Sequence, residues 1–153
     1  MDRSAARIPP AIAAFGFAGL IPPAAAAAGL FALPPGAPQQ FAWVLLIFYG
    51  ALIFSFLGGT WWAFAAPRPG AGWMAMAVTP SLVALVLLLL TLSAETRPAA
   101  AALLAAAILL SPLADQALRA AGLTPVWWLR LRVPLSVGLA ICVALGAWRA
   151  PIG

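Results

Sequence analysis

Five stretches of about twenty apolar residues follow one another along the chain, each long enough to cross a hydrocarbon core about 30 Å thick as a helix. They lie at about 10–33, 39–66, 72–93, 98–119 and 131–148 on that length criterion. Their ends are punctuated by residues that do not continue a helix, Pro34-Pro35-Gly36 after the first and Pro67-Arg68-Pro69-Gly70 after the second. Glu95-Thr96-Arg97 stops the third, and Pro98 opens the fourth at a favoured first helical position. No segment is left over that is long enough for a soluble domain. The expectation is an all-α integral membrane bundle of five transmembrane helices, a single domain over 1–153.

Composition agrees. Only 7% of the 153 residues are charged, 65% are hydrophobic and the mean hydropathy is +1.08. Soluble proteins carry about 25% charged residues, so this chain cannot cover a water-facing surface. The reactive inventory is thin as well: no His, no Lys, one Cys (Cys142) and three acids, Asp2, Glu95 and Asp115. The commonest ligand for haem, zinc and copper is missing, and no pair of carboxylates stands near Asp115 for acid–base work. The expectation is therefore no enzyme, no cofactor, no metal and no catalytic residue. The net charge of +5 comes from Arg residues set singly at helix ends, which points to bilayer orientation and not to nucleic acid.

Tryptophan favours the headgroup level, and the spacing of Trp43 to Trp61 (about 27 Å) and of Trp128 to Trp148 (about 30 Å) on a helical rise matches one crossing each. Trp43, Trp61, Trp62, Trp73, Trp127, Trp128 and Trp148 are accordingly expected as interface anchors. With five spans, Arg3, Arg7, Arg68, Arg119, Arg130 and Arg132 share the amino-terminal face, against Arg97 and Arg149 on the other. Positive-inside logic then places the amino terminus in the cytoplasm of a bacterial inner membrane, beside anionic headgroups, and the carboxyl terminus outside. In a mitochondrial inner membrane the same count places it in the matrix. Residues 1–30 also carry signal-peptide features, Arg3 and Arg7 ahead of an apolar run and small residues at 24–28. The run is longer than the roughly 7–15 residues of such a signal, which favours a retained span.

Three patterns stand out within the spans. Ala51, Ser55, Gly59 and Ala63 recur every fourth residue, a small-residue stripe that lets another helix backbone approach closely. Gly138, Cys142 and Gly146 form a shorter stripe and a candidate partner face, with Cys142 as a packing residue. Helix-weakening residues (Gly58-Gly59, Pro80, Pro112, Pro134) gather toward the Arg-rich half, as they do where broken helices line a cavity; Pro near a helix end is the milder explanation. Asp115 is the one acid expected to approach the hydrocarbon; Arg119, one turn on, can pair with it, and the favoured reading is an interfacial ion pair that ties the fourth helix to the fifth. Arg130 and Arg132 return to the same membrane face, so Asp115, Arg119, Arg130 and Arg132 form the candidate ion-pair, ligand or partner site.

Several of these residues together resemble a known family. Tyr49-Gly50 with Ser55-Phe56-Leu57-Gly58-Gly59 and Trp62, then Pro80-Ser81-Leu82-Val83-Ala84, Asp115, and Gly122-Leu123-Thr124-Pro125-Val126-Trp127-Trp128-Leu129-Arg130-Leu131-Arg132 resemble the small membrane proteins catalogued as domain of unknown function 3429, the transmembrane protein 69-like family. The likeness covers about residues 10 to 148 and implies the five-helix architecture without an activity. Trp61 departs from the pattern, in which a polar or basic residue often precedes the Trp. Two functional expectations follow. One is a small accessory or assembly subunit of a larger membrane complex, or a homo-oligomer. The other is a small transporter or lipid- or ligand-binding protein with a cytoplasm-facing pocket bounded by Gly58, Gly59, Pro80 and Asp115.

Overall fold

A computed structural model describes residues 7–151. It contains five helical spans long and apolar enough to cross a membrane, and the chain is an all-helical membrane bundle. Two spans are broken, giving seven helices: α1 (Pro10–Ala18), α2 (Ile21–Ala32), α3 (Ala37–Ala65), α4 (Ala71–Leu90), α5 (Arg97–Leu110), α6 (Pro112–Ala120) and α7 (Trp128–Trp148). Consecutive spans run antiparallel, so α1, α4 and α7 begin at the end where α3 and α6 finish.

Proline accounts for both breaks. Pro22 and Pro23 have no N–H to offer the carbonyls of Ala18 and Gly19, so the first span cannot run straight through. The Gly19 carbonyl is instead satisfied by the Tyr49 hydroxyl of α3 at 2.7 Å, which ties the break to the middle of the bundle. Pro112 likewise removes the donor for the Ile108 carbonyl. Ser111 fills the gap from its own side chain, donating to that oxygen at 2.8 Å. Pro80 and Pro134 lie inside α4 and α7, which continue past them. Gly122 ends α6 at φ 70°, with the Leu123 amide reaching back to the Leu118 carbonyl at 2.9 Å, the closing bond of a left-handed glycine cap.

α3 is the central element. It packs along α4 on one side and against α2 and α7 on the other, while α5 lies on α7. Its buried side chains, among them Trp43, Leu46, Ile47, Phe54, Leu57 and Trp61, join Leu30, Leu104, Ile108 and Val143 in one core. Close backbone approach is built on particular glycines. A Cβ on Gly50 would stand 2.9 Å from Val143, and one on Gly58 would stand 2.2 Å from the Ala77 carbonyl oxygen of α4. Gly58 thus turns a Cα–H toward that carbonyl, a contact that recurs at close helix interfaces.

The expected stripe is therefore only half an internal packing face. Ala51 is buried and Ser55 exchanges a 2.9 Å hydrogen bond with Ser81 of α4. Gly59 and Ala63 instead face outward, and nothing lies within 4 Å of a Cβ built on Gly59. The reason is angular: adjacent residues are about 100° apart on a helix, so when Gly58 seats α4, Gly59 looks away from it. On α7 the shorter stripe spreads over two neighbours. Gly138 meets Leu20 at the break of the first span, Gly146 meets Leu46 and Ile47 of α3, and Cys142 lies between them, partly buried and reduced.

The end of the bundle where α2, α4 and α7 finish is held by side chains that cap their carbonyls, groups a helix terminus leaves unpaired. Gln39 donates to Leu30 at 2.8 Å, and Trp43 donates to Gly146 at 2.8 Å. Thr96 donates to the Leu90 carbonyl, and Arg97 reaches Thr91 at 3.0 Å and Pro151 at 3.2 Å. Arg97 also lies 5.8 Å from the Trp43 ring centre, and Arg149 lies 4.8 Å from that of Phe31.

Candidate functional site

At the opposite end, three spans place polar side chains in one buried cluster. Asp115 sits in the first turn of α6, where a negative charge is favoured by the helix dipole. It is 0% exposed, because the break at Ser111-Pro112 sets α6 so that this residue faces the interior. Burying a carboxylate costs several kcal/mol unless it is paired and hydrogen-bonded, and Asp115 is both. Its Oδ1 accepts from the Trp61 indole at 2.9 Å and the Trp128 indole at 2.8 Å. Its Oδ2 takes the Arg132 Nε at 3.2 Å.

Arg132 carries the cluster deeper. Its Nη2 donates to Ser111 and to Ser136, each at 3.1 Å, and the two hydroxyls stand 3.3 Å apart. Ser111 joins this network while still holding the Ile108 carbonyl, so the α5–α6 break and the ion pair are one construction. Ser136 lies eight residues into α7, about 12 Å from its start on the helical rise. The cluster thus runs from near the bundle end toward the middle of α7. Phe64 stands edge-on to Trp128 at 4.9 Å between ring centres.

The expected ion pair between the fourth and fifth spans is present as Asp115–Arg132, buried and not interfacial, and Arg119 is corrected as a possible partner. It is exposed on the last turn of α6, one turn nearer the bundle end, and the ion pair is made from another helix. Arg130 is also exposed, whereas Arg132, two residues and about 200° further round the helix, is buried. Trp43 and Trp61 are corrected as headgroup anchors. Each is at most 4% exposed, and each indole N–H serves an acceptor inside the bundle, Gly146 and Asp115 respectively. Trp61, the position that departs from the family pattern, is thus one of the three donors to the buried carboxylate. Trp62 and Trp148 are exposed, and Trp73, Trp127 and Trp128 are half-buried.

Ser111 and Ser136 escaped the sequence reading. The signal was their spacing, since Ser111 precedes Asp115 by four residues and Ser136 follows Arg132 by four, which puts each pair on one helix face. The expected pocket is displaced too. Gly58 and Pro80 are in contact across α3 and α4 and leave no space there. An open volume of about 460 Å³ lies on the other side of α3, between α1 and α7, with Arg132 and Ser136 in its wall. Among the described residues no group of His, Cys, Asp or Glu is arranged to hold a metal ion.

Comparison with known proteins gives one match. Residues 8–148 fit the model of a family described as protein of unknown function (DUF3429), the family that the Tyr49–Trp62 and Gly122–Arg132 segments resemble. The match takes in every span, and the chain belongs to this family. No curated protein and no solved structure matches the chain.

Proposed function

From that membership, we propose that this multi-pass membrane protein is a non-enzymatic accessory or assembly subunit of a larger membrane complex, or of a homo-oligomer. One observation carries the reading. The outward half of the α3 stripe, Gly59 and Ala63, forms a notch beside the bulky, exposed Leu52, Phe56 and Trp62. In lipid, helices associate through such small-residue surfaces, because apolar burial supplies no drive between them. The occupant that fits is a transmembrane helix of another chain with small residues of its own.

The interior chemistry points the same way. Asp115 is held by three donors from two other helices, and a proton or ion relay would need further acids along a path. Arg7, Arg68, Arg119 and Arg130 are exposed at the Asp115 end, Arg68 reaching the Ala121 carbonyl at 3.1 Å, against Arg97 and Arg149 at the other. This supports the amino terminus in the cytoplasm of a bacterial inner membrane, or in the matrix of a mitochondrion, facing anionic headgroups. Solubilised gently from its native membrane, the protein is expected to migrate as a complex larger than one chain, and Gly59→Trp is expected to shift it toward the monomer. Migration as a monomer before any substitution would remove this reading.

A further inference from the structure

The cavity between α1, α3 and α7 has a polarity gradient. Near the Arg-rich end its wall includes Thr60, Trp128 and Arg132, and toward the membrane middle it is closed by Leu20, Ile53 and Leu139. Phe15 and Phe56, 81% and 65% exposed, stand at its mouth, so it opens sideways to the bilayer. Its volume of about 460 Å³ lies in the range of small-molecule sites, about 300–1,000 Å³. The first span is broken at Gly19-Leu20, and both residues of the break line this room.

Arg132 supplies the specific feature. Its side chain is 7% exposed, and its Nε and Nη2 are committed to Asp115, Ser111 and Ser136. Among the described residues Nη1 has no protein acceptor, although a guanidinium carries five donors in a fixed fork. Arg132 lines this cavity, so the oxygen of an otherwise apolar ligand within it can accept from the guanidinium donor that Asp115, Ser111 and Ser136 leave unused. We propose that this cavity is a binding site for one glycerophospholipid of the leaflet at the Arg-rich end. An ester or phosphate oxygen of the lipid accepts from Arg132 Nη1, and one acyl chain lies along Ile53, Leu20 and Leu139. The direction is that of a bilayer lipid, with its polar part outward and its chain toward the middle. Asp115 neutralises Arg132, so the contact is a hydrogen bond to oxygen and does not demand an anionic headgroup.

Native mass spectrometry of the full chain with phosphatidylglycerol, phosphatidylcholine or inorganic phosphate added tests this. One phospholipid per chain is expected to be retained with either lipid, and no phosphate. Ile53→Trp, which fills the deep end, and Ile12→Trp, which fills the mouth, are each expected to weaken retention about tenfold. Leu85→Trp, on the exposed face of α4, is expected to leave it unchanged. Asp115→Asn with Arg132→Met, which removes both charges together, is expected to weaken it as well. Equal retention by the parent and both filling variants, retention indifferent to the paired change, or uptake of phosphate alone would overturn the proposal. The thermal midpoint of each variant separates loss of the site from loss of the fold.

Discussion

Asp115 and Arg132 show how one residue's placement decides the behaviour of others. The pair does not gain much by existing, since a buried ion pair often does no better than apolar residues of the same size. Its consequence lies in what happens when one partner is lost. Asp115→Asn leaves a buried guanidinium without its counter-charge, and Arg132→Gln leaves a buried carboxylate with only the two indoles. Each single change is expected to lower stability by about 3–5 kcal/mol, read as a fall in the unfolding midpoint in mild detergent. Asp115→Asn with Arg132→Gln, which removes both charges, is expected to recover much of that loss. Additive losses in the double variant would show that the two residues are not coupled. The sequence marks Asp115 as the acid near the hydrocarbon, and it marks Arg132 as a candidate. It does not select Arg132 over Arg119, because i+4 spacing describes a helix surface, whereas this pairing depends on how α6 turns after Ser111-Pro112.

At the scale of elements, Gly58 and Gly59 are a matched experiment within one helix. A methyl group at Gly58 would collide with the Ala77 backbone oxygen, and one at Gly59 would meet nothing within 4 Å. Gly58→Ala is expected to force α3 and α4 apart and cost about 1–3 kcal/mol, as overpacking does. Gly59→Ala is expected to be neutral or slightly stabilising within the isolated chain, where Ala is the better helix former by about 1 kcal/mol. Thermal midpoints of the two variants check this, and equal losses would contradict the assignment of inner and outer faces. The five spans are legible in the sequence because hydropathy and proline punctuation act locally. Their breaks are only partly so: Pro22-Pro23 and Pro112 mark where a carbonyl loses its donor, but whether a span continues depends on a distant acceptor or donor such as Tyr49. Trp128 and Trp148 mark the two ends of α7, whereas Trp43 and Trp61 lie inside the longer α3 and turn their indoles inward, to Gly146 and Asp115.

For the whole molecule, the two ends differ in kind. The end with Asp115 exposes Arg7, Arg68, Arg119 and Arg130, with Arg68 also holding the Ala121 carbonyl; the other exposes Arg149 and spends Gln39, Trp43, Thr96 and Arg97 on helix carbonyls. With Cys142→Ser as background, Ser93→Cys is expected to react with a membrane-impermeant maleimide on intact cells, and Pro69→Cys only after the membrane is opened. The reverse pattern would invert the proposed orientation. The wider claim is that the interior is a fixed structural node and that the outward notch on α3 is where this protein meets another chain. Site-specific photo-crosslinking in native membranes tests it most directly, with the reactive side chain at Gly59, at Ala63, and at Val86 and Leu89 on the exposed face of α4. A discrete adduct with a second transmembrane chain is expected from Gly59 and Ala63, and none from Val86 and Leu89. Unmodified monomer at all four positions, or adducts of equal yield at all four, would contradict it.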